Sequence, residues 1–219
     1  MRFRAVLFDL DGTILDSGTD LVCSVRHALH QVGFHDQPDD DDILALVGLP
    51  LETILLRLGF PASPDQVAAF VAAYRSHFAR HFRDHTKLYP YAAQVLSCLR
   101  QAGARLAVVT TKHQTQAELV LEGCGAAGFF DYIHGYKEGR EHKPHPEPVL
   151  TALQQLGVAP ADALMVGDAE TDIESGRAAG TATCAVTYGY RPAALLHRFR
   201  PDFMLADIRD LVSVVLKTD

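Results

Sequence analysis

The chain has 219 residues, 48% hydrophobic and 21% charged. This is typical of a soluble globular protein with one large domain, or a core domain with a small insertion. The net charge of −7 at pH 7 argues against nucleic acid or an anionic membrane as a partner. We expect no signal peptide and no membrane span. The four cysteines lack ligand spacing, which predicts reduced thiols in a cytoplasmic protein.

The first predicted element is a short apolar strand over 4–8, and a long helical region follows it. Apolar spacings such as Leu21, Val25 and Leu29 are helical, and no strand-like alternation is found in this region. The predicted helices are 19–32, 40–46, 51–58 and 64–82. This block interrupts the alternation of strands and helices, so we expect residues 16–86 to form an inserted all-helical cap domain.

Strands and helices alternate in the rest of the chain. The predicted strands are 105–109, 132–134, 163–166 and 183–186, and the predicted helices are 91–101, 114–122, 147–156, 172–179 and a final segment near 208–216. Such alternation predicts βαβ units with a parallel sheet and helices on both faces. The expected fold is therefore α/β, with a three-layer Rossmann-like core formed by residues 1–15 and 87–219.

Polar side chains stand at or after the ends of several predicted strands. They are Asp9, Asp11, Thr110, Lys143, Asp168 and Asp172. Ligands of open α/β sheets bind outside the carboxyl ends of the strands, so we expect these side chains to converge. Several carboxylates in one cleft are costly without a cation, and an all-oxygen ligand set suits Mg²⁺. The lysine and the threonine would add a cation and a hydroxyl donor, both of which a phosphoryl group needs.

Structural interpretations stand beside these chemical ones. Asp9 and Asp11 could be turn residues that follow a strand. Asp172 could lie in the first turn of a helix that begins with a capping box formed by Thr171 and Glu174. A row of histidines at four-residue intervals could form a metal site, but a solvated helix face is the commoner outcome. That row is His77, His81 and His85.

Four motifs occur in order along the chain, and together they resemble the haloacid dehalogenase superfamily. They are Asp9-Leu10-Asp11-Gly12-Thr13, Val109-Thr110-Thr111-Lys112, Lys143-Pro144-His145-Pro146 and Gly167-Asp168-Ala169-Glu170-Thr171-Asp172. The chain looks most like bacterial phosphoglycolate phosphatases with a small helical cap, and the run Thr187–Tyr190 is similar to theirs. Ala169 and Thr111 depart from the residues common at those positions in the family.

The resemblance implies a role for each matched residue. Asp9 would be the nucleophile and Asp11 the general acid and base. The phosphoryl group would be held by Thr110, Thr111 and Lys143. Mg²⁺ would be bound by the Asp9 carboxylate, the Asp11 main-chain carbonyl and Asp168, with Asp172 as a ligand through water or as an anchor behind the ligands.

We expect the protein to be a Mg²⁺-dependent phosphatase that hydrolyses a small phosphomonoester through an aspartyl-phosphate intermediate. The favoured substrate is 2-phosphoglycolate. The same machinery could serve a sugar phosphate such as muramic acid 6-phosphate, inorganic pyrophosphate or a phosphosugar mutase reaction. A protein that binds phosphate without turnover is a further alternative, against which the intact acid pair argues. The expected partner is a small phosphorylated metabolite, and the chain is expected to be a monomer or a homodimer.

Overall fold

The computed structural model describes residues 1–217. Its strands are β1 (Ala5–Phe8), β2 (Leu15–Asp16), β3 (Lys87–Leu88), β4 (Arg105–His113), β5 (Tyr132–Tyr136), β6 (Ala163–Gly167), β7 (Ala182–Val186) and β8 (Phe203–Leu205). Its helices are α1 (Gly18–Gln31), α2 (Asp40–Leu44), α3 (Leu51–Arg57), α4 (Pro64–His81), α5 (Ala92–Gln101), α6 (Gln114–Gly123), α7 (Glu147–Leu156), α8 (Glu170–Ala179), α9 (Ala193–Arg198) and α10 (Asp210–Leu216). No helix in this described part is long and apolar enough to cross a membrane.

Six strands form one parallel sheet in the order β5-β4-β1-β6-β7-β8. Strand β1 lies inside the sheet, where Phe8 pairs with Val108 of β4 and Val166 of β6. Asp9 follows directly and donates its backbone N–H to the Val166 carbonyl at 2.8 Å. The register therefore places the first acid of the chain directly after the last β1 pairs with β4 and β6, near the carboxyl end of β6.

Side chains of β1 alternate between two apolar layers, as a strand buried on both faces requires. Val6 and Phe8 belong to the layer that contains Leu96 of α5. Leu7 belongs to the opposite layer with Leu153 of α7. Helices thus cover both faces of the parallel sheet, which confirms the predicted α/β three-layer core.

The chain divides into two compact units. One consists of Met1–Asp16 and the described part of Leu88–Asp219, and the other of Ser17–Lys87. The second unit contains α1 to α4, and α1 packs against α4. Helix α4 begins with a capping box, in which the Ser63 hydroxyl accepts the Gln66 N–H and the Gln66 side chain accepts the Ser63 N–H.

Several features of the core differ from the predicted elements. Strand β4 is expected to end at Val109, but it continues to His113. Val109 pairs with His134 while His113 pairs with Tyr136, so β4 carries extra residues in a bulge. The polar composition of that stretch resembles a loop, although its backbone remains extended. Helix α9 and edge strand β8 were not predicted, because both are too short to show a clear period.

Candidate active site

The loop after β1 is shaped to bring its carboxylates against other strands. Gly12 has φ +81°, a left-handed conformation that glycine adopts without strain. A Cβ at this position would collide with the carboxylate of Asp168. The glycine of the Asp9-Leu10-Asp11-Gly12-Thr13 motif therefore has two roles. It permits the turn, and it leaves room for the Asp168 carboxylate, which follows β6.

Lys143 is the electrostatic centre of the site. The residue is only 3% exposed, and its ammonium donates to Asp9 Oδ1 at 2.7 Å, to Asp172 Oδ1 at 2.6 Å and to the Val109 carbonyl at 2.8 Å. An ammonium has three donors, and all three are used here. The predicted convergence of Asp9, Lys143 and Asp172 is thus observed, although these residues come from three distant parts of the chain.

Asp168 is buried and receives two neutral donors. The Thr13 hydroxyl donates to Asp168 Oδ1 at 3.2 Å, and the Tyr190 backbone N–H donates to Oδ2 at 2.7 Å. A Cβ on Gly189 would collide with the Cβ of Asp168 and with the Gly12 carbonyl oxygen, so only glycine lets this loop approach so closely. The family resemblance singles out the run Thr187–Tyr190, but it does not predict that this loop contacts Asp168.

Asp172 is held at both carboxylate oxygens. One contacts Lys143, and the other accepts the Ala169 backbone N–H at 3.0 Å. The predicted capping box of Thr171 and Glu174 is wrong, because α8 begins earlier, at Glu170, with Ala169 as its N-cap. Asp172 is therefore the third helical residue, whose side chain reaches back to the N-cap as the acid of a capping box does.

Asp11 pairs with a lysine to which the motifs assign no role. The Lys112 ammonium lies 2.9 Å from Asp11 Oδ2, and both side chains are buried. Lys112 also donates its backbone N–H to the Thr110 hydroxyl oxygen at 3.1 Å. The only signal in the sequence was the position of this lysine within the second motif. Thr111 lies between Thr110 and Lys112 and is half-buried. Among the described contacts, none connects its side chain with Asp9, Asp11, Asp168 or Asp172.

Burial sets the ionisation of the acids. Burial raises the pKa of Asp9 to about 6, with the charges of Asp172 and Asp11 adding to the effect and Lys143 opposing it. Burial and the charges of Asp9 and Asp172 raise the pKa of Asp168 to about 8, against the Tyr190 N–H and the charge of Arg191. Burial alone would lower the pKa of Lys143, but Asp172 and Asp9 outweigh it and raise the pKa above its ordinary value.

The donor set fits a small divalent cation. Asp9, Asp168 and Asp172 each offer an oxygen, and these oxygens lie within 4.8 Å of one another. Octahedral Mg²⁺ takes oxygen ligands from one or two carboxylates and completes its shell with water and phosphate oxygens. Burial and the neighbouring acids raise the pKa of Asp168 despite the charge of Arg191, so the protein only partly compensates the charge of this carboxylate. A cation beside Asp9 and Asp168 would supply it.

Comparison with known proteins defines the class of this enzyme. Residues 6–186 match the haloacid dehalogenase-like hydrolase family. The chain therefore belongs to that family, as the motifs predicted, and it is a hydrolase that resembles phosphoglycolate phosphatase in fold.

Individual relatives cover nearly the whole chain. It is 33% identical over 215 residues to pyrophosphatase PpaX of Bacillus cereus (strain AH820), covering 98% of this chain and 97% of that one. PpaX of Oceanobacillus iheyensis is 32% identical over 98% of each chain. Among solved structures, a predicted phosphoglycolate phosphatase from Haemophilus somnus 129pt has a TM-score of 0.89 and 28% identity over 98% of each chain. A predicted phosphatase from Clostridium acetobutylicum has a TM-score of 0.89 and 26% identity over 100% of each chain.

Proposed function

We propose that this protein is a Mg²⁺-dependent phosphohydrolase in which Asp9 is the nucleophile. The observation that carries the proposal is the ammonium of Lys143, which joins the carboxylates of Asp9 and Asp172 beside that of Asp168. This arrangement holds the Asp9 carboxylate in a fixed orientation beside a buried ammonium. Lys143, together with a divalent cation held by the carboxylates, would supply the positive charge that the phosphoryl transition state requires.

The first step forms a bond between an Asp9 carboxylate oxygen and phosphorus. The bond from phosphorus to the leaving oxygen breaks, its electron pair stays on that oxygen, and Asp11 supplies the proton. Water then attacks phosphorus in the aspartyl-phosphate while Asp11 accepts a proton from it. The bond to Asp9 breaks, which releases inorganic phosphate and restores the free carboxylate.

The other residues hold the reacting groups. Thr110 and Thr111 would donate hydrogen bonds to phosphoryl oxygens, and Lys143 would stabilise their charge while it orients Asp9. Asp9, Asp168 and the main-chain carbonyl of Asp11 would hold Mg²⁺. The ion would neutralise charge on the phosphoryl oxygens.

We assign Asp172 to the orientation of Lys143 rather than to direct contact with the ion. Both of its oxygens already accept hydrogen bonds, one from Lys143 and one from the Ala169 N–H. The Lys143 ammonium already pairs with the charge of Asp172, whereas the hydrogen-bond donors to Asp168 are neutral. Of the two roles that the resemblance leaves open, an anchor behind the ligands fits these contacts better.

Two substrates follow from different observations. Pyrophosphate is favoured by relatives named pyrophosphatase that align over almost the entire chain at 32–33% identity. Phosphoglycolate is favoured by the motifs and by a structural relative with that name. The substrates differ in the group that leaves. An alkoxide needs a proton from Asp11, whereas phosphate is a weaker base and leaves more readily without one.

The decisive experiment measures phosphate release from pyrophosphate, phosphoglycolate and a set of sugar phosphates, with Mg²⁺ or with excess chelator. We expect chelator-sensitive turnover, with kcat/KM for pyrophosphate or phosphoglycolate at least about tenfold above the rest, the discrimination that about 1.4 kcal/mol of transition-state binding provides. Asp11→Asn should then separate the two, because phosphoglycolate hydrolysis should lose far more rate than pyrophosphate hydrolysis. Turnover that persists in Asp9→Asn would refute the nucleophile, and absence of metal-dependent turnover on every ester would refute the enzyme.

A further inference from the structure

The pair formed by Asp11 and Lys112 is a second buried ion pair, separate from the one centred on Lys143. The Lys112 ammonium and Asp11 Oδ2 are 2.9 Å apart, with 5% and 9% of their side chains exposed. Burying two charges is costly, and a pair of this kind is weak evidence for a role in stability. A buried lysine in such a place is therefore a candidate for a role in the reaction.

The backbone that carries Lys112 is held firmly. Lys112 lies in the bulge where β4 and β5 lose their regular register, and bulges re-aim side chains beside active sites. Gly135 of β5 donates its N–H to the Gln114 side chain at 2.6 Å. A Cβ on Gly135 would lie 2.5 Å from the Gln114 Cα and 3.0 Å from the Lys112 carbonyl oxygen. This close contact restricts the end of β4, and with it the position of the lysine.

The two lysines divide the acids between them. Lys143 contacts Asp9 and Asp172, and Lys112 contacts Asp11. The proposed nucleophile and the proposed acid therefore each have a cation of their own. The contact between the Lys112 ammonium and Oδ2 restricts the rotation of the Asp11 side chain. The ion pair therefore sets the direction that the Asp11 carboxylate faces.

We infer that Lys112 is a positioning residue, which orients Asp11 so that it can protonate the leaving oxygen. This inference rests on the proposed function, since it assumes that Asp11 is the general acid. It also predicts a signature that a lysine used only for phosphate binding or folding would lack. Loss of Lys112 should lower kcat/KM by a larger factor as the leaving group becomes more basic, because only a basic leaving group needs the proton.

The test uses substituted phenyl phosphates, from 4-nitrophenyl to unsubstituted phenyl phosphate, with the intact chain and Mg²⁺. For Lys112→Met we expect kcat/KM to fall less than about threefold with 4-nitrophenyl phosphate and about 10- to 100-fold with phenyl phosphate, within the range of general acid catalysis. Lys112→Arg, which keeps the charge, should recover most of the loss. An equal fall with every substrate would overturn the inference and indicate phosphate binding or folding instead.

Two controls separate the inference from the proposed function. Asp11→Asn should show the same dependence on the leaving group; if it does not, Asp11 is not the acid and the proposed function fails first. The double variant Asp11→Asn with Lys112→Met removes both charges and avoids a lone buried lysine or carboxylate. It should be no slower than Asp11→Asn alone, because residues that act through one another are not additive. A further loss beyond about threefold would overturn the inference, even if Lys112→Met alone does not fold.

Discussion

The two units of the molecule bury carboxylates in opposite ways. In the helical unit, Asp20 is 2% exposed and accepts hydrogen bonds from the Thr86 hydroxyl, the backbone N–H groups of Thr86 and His85, and the His85 ring. Burial alone would raise the pKa of Asp20, but these donors outweigh it and lower the pKa. In the core, the similarly buried Asp168 has only two neutral donors among the described residues, and its pKa is raised to about 8.

This difference shows how burial can serve structure in one place and chemistry in another. Asp20 has its donors within the unit, from residues at the opposite end of the same segment, so its charge stabilises the helical unit. Asp168 is only partly neutralised by the protein itself. A carboxylate in that state is a poor structural element and a good ligand for a cation or partner for a charged substrate.

The largest expected effect is on the nucleophile in the core. Asp9→Asn should reduce kcat by about 10⁴-fold or more, in the range found when a catalytic nucleophile is removed. The amide oxygen of the substituted side chain can still accept the Lys143 hydrogen bond, so the circular dichroism spectrum and the melting temperature should be nearly unchanged. Asp65→Asn, at an exposed position of α4, is the matched control and should keep full activity.

The next largest effect is expected for the structural acid of the helical unit. Asp20→Asn should destabilise that unit by about 1.5–3 kcal/mol, the usual value of hydrogen bonds to a charged group. Hydrogen exchange should show faster opening of α1 and α4 at neutral pH, with little change in the core. Asp84→Asn removes an exposed carboxylate that pairs with His81 and should cost less than about 1 kcal/mol. Equal effects of the two variants would contradict the stabilising role of the hydrogen bonds to Asp20.

Asp168 should behave in the opposite way to Asp20. Its raised pKa means that ionisation opposes folding, so this group reduces stability as pH rises from about 4 to about 8. Without divalent cations at pH 8, Asp168→Asn should therefore raise the melting temperature, by about 2–4 °C for each kcal/mol recovered. Mg²⁺ should stabilise the unmodified protein in proportion to its occupancy and should have little effect on this variant. A drop in melting temperature without metal would show that Asp168 is structural, as Asp20 is.

The smallest expected effect concerns the imidazoles of the helical unit. The rings of His27 and His81 each stack on His77 with centroids 4.3 Å apart. Burial lowers the pKa of His77, and His27 and His81 lower it further, with a smaller contribution from Arg80 that Asp84 opposes. The unfolded chain then binds this proton more readily than the folded one. Stability should fall as pH decreases below the unfolded pKa of about 6.5, by at most about 1.4 kcal/mol per pH unit for one proton.

Unfolding followed from pH 7.5 to 5 measures this slope, since the range spans the ordinary histidine pKa of about 6.5. His77→Gln should flatten it, whereas His197→Gln, exposed on α9, should leave it unchanged. The sequence predicts that the row of His77, His81 and His85 forms a solvated helix face, and this describes the row only in part. His77 is half-buried within a stack and lies 3.1 Å from the Ser24 hydroxyl through Nδ1, and His85 contacts Asp20.

The sequence by itself determined most of the longer core elements and the candidate acids. An apolar run that ends in Asp9 and Asp11, and regular alternation of strands and helices, follow from local patterns that one segment carries alone. The parallel order of the strands then placed Asp168 and Lys143 at the same edge. These features were predictable because they depend only on the spacing of apolar residues and on the shared direction of parallel strands. No individual contact has to be known.

Only the tertiary structure decided which ion pairs and hydrogen bonds each acidic side chain forms. The bulge that sets Lys112 against Asp11, the capping contact of Asp172 and the approach of Gly189 to Asp168 each depend on the register between distant segments. The same holds for Asp20. In the sequence it resembles any acid in the first turn of a helix, but in the structure it accepts hydrogen bonds from the distant residues Thr86 and His85. Ion pairs and hydrogen bonds act over a few ångströms, so a shift of one residue in register would exchange their partners.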